Sequence, residues 1–172
     1  PVGLQGSRVG VVGLGIIGQQ VRTVLEALGV DVWGCDPAGV PNGVHPASIH
    51  EMVGHCDAVT LHCSLGPESS NLMSSEVLAS AHPDLVLVNT ARGGVLDLVT
   101  AMRMVEDGEL GALAVDVFPQ EPWPQMSRVH DCPNVMLHPH AAGYHKHLAR
   151  RIREGLCEVV RCYIEGKPLP HL

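Results

Sequence analysis

Three residues, Arg92, Glu121 and His140, have the types needed to move a proton on and off a hydroxyl group that lies beside a carboxylate. His140 is the candidate general base, because an imidazole changes charge near neutral pH and can take a proton from an alcohol within hydrogen-bond reach. Glu121 is its candidate partner, since a neighbouring carboxylate stabilises the protonated ring and fixes its tautomer. Arg92 is the candidate clamp: a guanidinium holds a carboxylate by two parallel hydrogen bonds and polarises a carbonyl next to it. Each has an ordinary reading taken singly, as a surface arginine, a solvated loop glutamate and one of eleven histidines. Their place in the chain groups them, for each follows a predicted strand and so belongs to one edge of a sheet.

The elements that must position them begin with Val9-Gly10-Val11-Val12, a short apolar run that reads as a buried parallel strand. It leads into Gly13-x-Gly15-x-x-Gly18, and then Val21, Val24, Leu25 and Leu28 recur at helical spacing. Gly13 permits the tight turn, Gly15 lets a pyrophosphate approach the backbone, and Gly18 lets helix and strand pack closely. The free N–H groups of the helix N-terminus favour a phosphate. A second strand ends at Asp36, whose carboxylate can bond an adenosine ribose and would repel a 2′-phosphate. The expected cofactor is therefore NAD rather than NADP.

Strands are predicted over 8–12, 30–35, 57–62, 84–89, 112–116 and 134–138, and helices over 16–28, 47–54, 74–81, 98–107 and 144–165. Asp97 is placed to cap the fourth helix and Gly108 to end it. The alternation predicts an α/β fold, a doubly wound parallel sheet of Rossmann type with helices on both faces. Residues 118–133, which hold four prolines, read as a long irregular loop. Ligands of such sheets bind at the carboxyl ends of the strands. That edge carries His62, Cys63 and Ser64, then Asn89, Thr90, Ala91 and Arg92, then Asp116 and Glu121, then His138 and His140. Asp116 is a loop cap or a hydrogen-bond partner of the nicotinamide carboxamide. With a hydride acceptor bound, the set suits interconversion of a 2-hydroxy acid and a 2-oxo acid.

Composition narrows the classes. A formal charge of −7 without a basic run argues against a nucleic-acid partner held through phosphates. No apolar stretch is long enough to span a bilayer, and no basic-then-apolar leader is present, so a cytoplasmic protein is expected. Six cysteines without a CxxC pair read as reduced thiols. His138, His140, His145 and His147 lack a recognisable ligand spacing, so no metal is expected, and the histidines other than His140 read as solvated or packed at a helix start. The chain enters its first strand almost at once and ends in Pro168-Leu169-Pro170, so a domain of a longer polypeptide is expected.

The stretches Val11–Gly18, Leu87–Asp97, Ala114–Pro122 and Asn134–Gly143, with the loop His62–Leu72, together resemble the nucleotide-binding domain of D-isomer-specific 2-hydroxyacid dehydrogenases. The resemblance spans nearly the whole chain in the family's order. It implies that Arg92 binds the substrate carboxylate, Glu121 supports the histidine and His140 is the acid/base. It implies that the backbone of Ile16 and Ile17 meets the pyrophosphate, and that Thr90, Ala91 and Asp116 line the nicotinamide side. His62, Cys63, Ser64, Arg92, His140, Ala142 and Gly143 complete the expected cofactor contacts. It also implies a second, substrate-closing domain outside these residues, with 144–165 as the crossover helix towards it, and a homodimer in the full-length protein. Residues 37–46 are short and rich in Gly and Pro, which would leave the adenine end open. Formate dehydrogenases resemble the family too, but there the histidine's partner is typically glutamine. NAD-sensing corepressors share the Arg, Glu and His, and a freestanding NAD-binding module without catalysis is a further alternative.

Overall fold

The computed structural model describes residues 3–124 and 132–170. They divide into two units, Pro1–His140 and Ala141–Leu172. In the first, strands β1 (Arg8–Val12), β2 (Asp31–Cys35), β3 (His45–Pro46), β4 (Ala58–Leu61), β5 (Val86–Asn89), β6 (Ala112–Val115) and β7 (Val135–Leu137) form one sheet. The order is β3-β2-β1-β4-β5-β6-β7, with each pairing parallel. The chain winds outward in one direction from β1 to β3 and in the other from β4 to β7. The crevice between the halves opens at the carboxyl ends of β1 and β4.

Alternation along the strands assigns the layers. Val9 and Val11 join Val30, Val32 and Val44 on the face that Leu25 of α1 (Ile16–Ala27) covers. Val12, Val59, Leu61, Leu87 and Leu113 lie under α2 (Ile49–His55), α3 (Ser75–Leu78) and α4 (Leu98–Glu106). Met52, Leu78 and Ala101 from those helices are fully buried. Each large side chain so removed from water contributes about 1.5–3 kcal/mol. Helices on both faces are thus realised as the alternation predicts.

Caps set several boundaries. Ser48 and Glu51 form a reciprocal capping box that starts α2. Asp97 caps α4 through the Thr100 N–H, and Gly108, at φ +74°, follows its end. The helix expected over 74–81 is a single turn, capped by Ser74 and stopped at Ala79. β3 and a 3-10 turn at Gly93–Val95 were not foreseen, since two or three residues carry no periodicity. Within the 37–46 segment Val44 is buried and Val40 packs beside it, while most of the other residues are exposed. Residues 125–131 of the proline-rich loop lie outside the described residues.

In the second unit, α5 (Leu148–Ile164) begins four residues later than the expected helix over 144–165. A turn at Lys146 and His147 leads into it, and the His145 ring accepts the His147 N–H. Gly166, at φ +61°, ends α5 with Lys167 N–H donating to Cys162 C=O, a Schellman closure. Ile152, Leu156 and Val160 form an exposed apolar stripe along the helix.

Candidate active site and cofactor cleft

The glycine turn is held from several sides. Gly13 lies at φ +88°, and a Cβ there would come within 2.6 Å of the Cys63 amide nitrogen, so only glycine fits between β1 and the exit of β4. A Cβ at Gly18 would lie 1.9 Å from Gly13 O, which fixes the first turn of α1 against the loop. At Gly15 a Cβ would meet nothing within 4 Å, so that backbone faces open space. α1 has no side-chain N-cap and no acidic residue in its first turn. Its N–H groups and positive dipole end therefore suit an anion. The flanking Ile16 and Ile17 side chains are exposed.

Beside this turn lies a cleft of about 530 Å³, lined by Val12, Gly13, Gly15, Asp36, His62 and Cys63 among others. Asp36 does two things at its mouth. Its Oδ2 accepts the Leu14 N–H at 2.6 Å and its Oδ1 accepts the Ala38 N–H at 2.8 Å. Each oxygen retains a second lone pair, so ribose hydroxyls can still be bonded. Burial pushes the His62 pKa below the usual imidazole value, so its ring, bonded to Thr60 Oγ1 at 3.0 Å, is neutral at neutral pH. Burial raises the Cys35 and Cys63 thiols, which are therefore protonated and weakly nucleophilic. Ser64 follows, exposed. These residues fit a dinucleotide: an open glycine backbone, an uncapped helix start and a carboxylate at the ribose distance of the motif.

The β5 exit is shaped by Asn89, which sequence reasoning placed at the edge without assigning it a role. Its buried side chain accepts the Ala91 N–H at 3.0 Å and donates to Arg92 C=O at 3.1 Å. This Asx-type turn sets the path of Thr90, Ala91 and Arg92. Arg92 is exposed and its Nη1 donates to Ala91 C=O. A Cβ at the next residue, Gly93, would lie 2.0 Å from the Phe118 carbonyl carbon, so the loops leaving β5 and β6 touch through backbone.

Glu121 and His140 are brought together. Glu121 Oε2 lies 2.8 Å from His140 Nδ1, while Oε1 accepts the Phe118 N–H at 3.1 Å. The His140 and Phe118 hydrogen bonds hold the Glu121 carboxyl below the usual carboxylate range. An ionised carboxylate has no hydrogen to give, so Nδ1 carries the proton and Nε2 is left as the proton acceptor. His140 sits at φ +51°, with its N–H bonded to His138 C=O. A non-glycine residue held there stores about 1–3 kcal/mol of strain. Among the described residues, Arg92 forms no ion pair with either; it shares their sheet edge from β5, two strands from β7.

Asp116, at the end of β6, is buried, and its Oδ1 lies 2.6 Å from His138 Nδ1. His138, which the sequence reads as solvated or packed at a helix start, is exposed and also makes this contact, which the β6–β7 register creates. Ala142 and Gly143 belong to the second unit, where both are exposed.

Residues 1–142 match the family described as D-isomer specific 2-hydroxyacid dehydrogenase, NAD binding domain. The chain belongs to this family. It is 30% identical over 168 residues to a glycerate dehydrogenase of Methylorubrum extorquens, covering 96% of this chain and 52% of that protein. It is 35% identical over 149 residues to a D-3-phosphoglycerate dehydrogenase of Haemophilus influenzae, covering 81% and 36%. A crystal structure of a D-isomer specific 2-hydroxyacid dehydrogenase from Xanthobacter autotrophicus Py2, in complex with NADPH and MES, superposes with a TM-score of 0.86. That structure is 28% identical, with 98% of this chain and 71% of the other covered. This 2-hydroxyacid dehydrogenase domain thus spans about half the length or less of the curated relatives named. Among its described residues, no helix is long and apolar enough to cross a membrane.

Proposed function

We propose that this chain is the NAD-binding half of an enzyme that interconverts a D-2-hydroxy acid and a 2-oxo acid. The observation that carries the reading is the Glu121–His140 pair, 2.8 Å apart, on the same strand edge as Arg92 and the glycine turn. When bound, NAD supplies hydride acceptance and donation. Gly13, Gly15, Ile16, Ile17 and Gly18 hold its pyrophosphate, and Asp36 its ribose. His62, Cys63 and Ser64 wall the cleft, and Thr90, Ala91 and Asp116 face the nicotinamide end.

The remaining steps belong to side chains of this chain. Arg92 binds the substrate carboxylate and draws charge towards the reacting oxygen. His140 Nε2 takes the hydroxyl proton in oxidation and returns it in reduction. Glu121, ionised, stabilises the imidazolium so formed and keeps Nδ1 protonated. A substrate domain excludes water over this edge, and the full-length protein is a homodimer.

A panel of glyoxylate, hydroxypyruvate and pyruvate with NADH, applied to the full-length protein, tests the reading. NADH oxidation with at least one is expected. Tight NADH binding with no turnover on any 2-oxo acid would favour the non-catalytic, NAD-sensing alternative. The acidic partner of His140 favours the hydroxy-acid reaction over formate oxidation, in whose enzymes a glutamine is typical.

A further inference from the structure

Glu68 takes no part in proton transfer or substrate binding, yet it lines the cofactor cleft together with Asp36. Asp36 enters from the end of β2 and Glu68 from the loop that follows β4. That loop is tied down. Ser69 Oγ donates to Ser64 C=O at 2.6 Å and accepts the Gly66 N–H at 2.8 Å, and Asn71 N–H donates to Gly94 C=O at 2.8 Å. Glu68 sits on this turn, exposed, and makes no hydrogen bond or ion pair among the described residues. Among the described residues that line the cleft, none is a lysine or arginine. His62 is neutral there, and the Cys35 and Cys63 thiols are protonated. The cation of α1, Arg22, is engaged by Glu26 Oε1 at 2.8 Å and by Asn42 C=O at 3.3 Å. The charged side chains of the cleft wall are therefore two carboxylates.

We propose that Glu68 is a second specificity-determining residue, which acts with Asp36 to disfavour a cofactor carrying a 2′-phosphate. This rests on the reading that the cleft takes a dinucleotide with its ribose at Asp36. Asp36 acts by contact, whereas Glu68 acts through space. A cleft of about 530 Å³ is on the order of 10 Å across, close to the Debye length of roughly 8–10 Å, so the fields of both carboxylates overlap inside it. A phosphate monoester brings a charge of about −1.5 to −2, and no cation of the cleft wall answers it. The pyrophosphate common to both cofactors meets the positive end of α1, so the discrimination falls on the 2′ group.

The test measures dissociation constants for NADH and NADPH in the wild type and in Glu68→Gln, Glu68→Asp, Asp36→Asn and Glu106→Gln. Glu68→Gln is expected to bring the two constants about threefold to tenfold closer together. Glu68→Asp, which keeps the charge, should retain most of the wild-type ratio. Glu106→Gln removes an acid on α4, outside the cleft, and should leave the ratio unmoved. Raising salt from about 0.01 M to 1 M shortens the Debye length from roughly 30 Å to 3 Å. The wild-type ratio should narrow over that range, and that of Glu68→Gln should narrow less. Retained NADH binding reports that each variant is folded. A wild-type ratio in Glu68→Gln at low salt overturns the proposal, as does an equal shift in Glu106→Gln. If Asp36→Asn narrows the ratio and Glu68→Gln does not, Glu68 is excluded and the dinucleotide reading stands. If the wild type binds neither dinucleotide, or prefers NADPH, that reading fails and the proposal falls with it.

Discussion

Asp36 reaches from the end of β2 to the glycine turn and accepts the Leu14 N–H through Oδ2 at 2.6 Å, so the residue proposed to select the cofactor also holds the loop that binds it. The two roles give a joint expectation. The protein should bind NADH more tightly than NADPH in a fluorescence titration. Asp36→Ala should narrow that preference and also lower stability by about 1–3 kcal/mol, the worth of hydrogen bonds to a charged group. Tighter NADPH binding by the wild type would remove the basis of the cofactor assignment.

In the full-length protein, His140→Ala should lower kcat by about 10²–10⁴-fold, the usual contribution of a general acid or base. NADH affinity should change little. Arg92→Lys keeps the charge but loses the planar fork, so KM for the 2-oxo acid should rise and kcat fall. Glu121→Gln removes the negative charge beside His140, and the pH–rate limb set by the histidine should move to lower pH. An unmoved profile would disprove the functional pairing.

Acid should destabilise the fold in two stages of the same sign. Burial lowers His62 from 6.5, so below that pH the unfolded chain takes up a proton that the folded ring resists, and stability falls. Glu121 is held below 4.5 by its hydrogen bonds, so its contribution is present above that pH and is lost as pH falls through the lower folded value. His62→Gln keeps a partner for Thr60 without titrating. Its Tm should fall less than that of wild type between about pH 6.5 and pH 5; parallel curves would show that His62 is not the group responsible.

Gly93→Ala tests the backbone contact between the β5 and β6 exits. The added Cβ would lie 2.0 Å from the Phe118 carbonyl carbon, which cannot swing aside as a flexible side-chain tip can. Destabilisation of at least about 1–3 kcal/mol is expected from overpacking. Catalysis should suffer beyond the stability loss, because Phe118 N–H anchors Glu121. A variant as stable and active as wild type would show that the loops separate freely.

Much of this architecture was readable because strong steric and hydrophobic rules dictate it. Buried strands had to be apolar runs, and Gly13 and Gly18 stand where any Cβ would collide with backbone. The proximity of Glu121 and His140 followed only from their place after neighbouring strands and from the resemblance. The unread parts depend on geometry that no local pattern encodes. Asn89 turns its side chain back on its own loop, and the αL backbone of His140 follows from the turn around Pro139. The Asp116–His138 contact had a signal: the predicted strands 112–116 and 134–138 end on those two residues, and aligning their ends would have paired them.

The glycine turn is fastened by Gly13 N–H to Cys35 C=O, by Leu14 N–H to Asp36, by Gln19 Nε2 to Leu14 C=O, and by the seat of Gly18 on Gly13 O. A loop tied at so many points has no second arrangement to leave before a dinucleotide lands. Association at the adenosine half should therefore proceed in a single bimolecular phase, linear in ligand concentration, and any slower, saturable phase would belong to events at the substrate end.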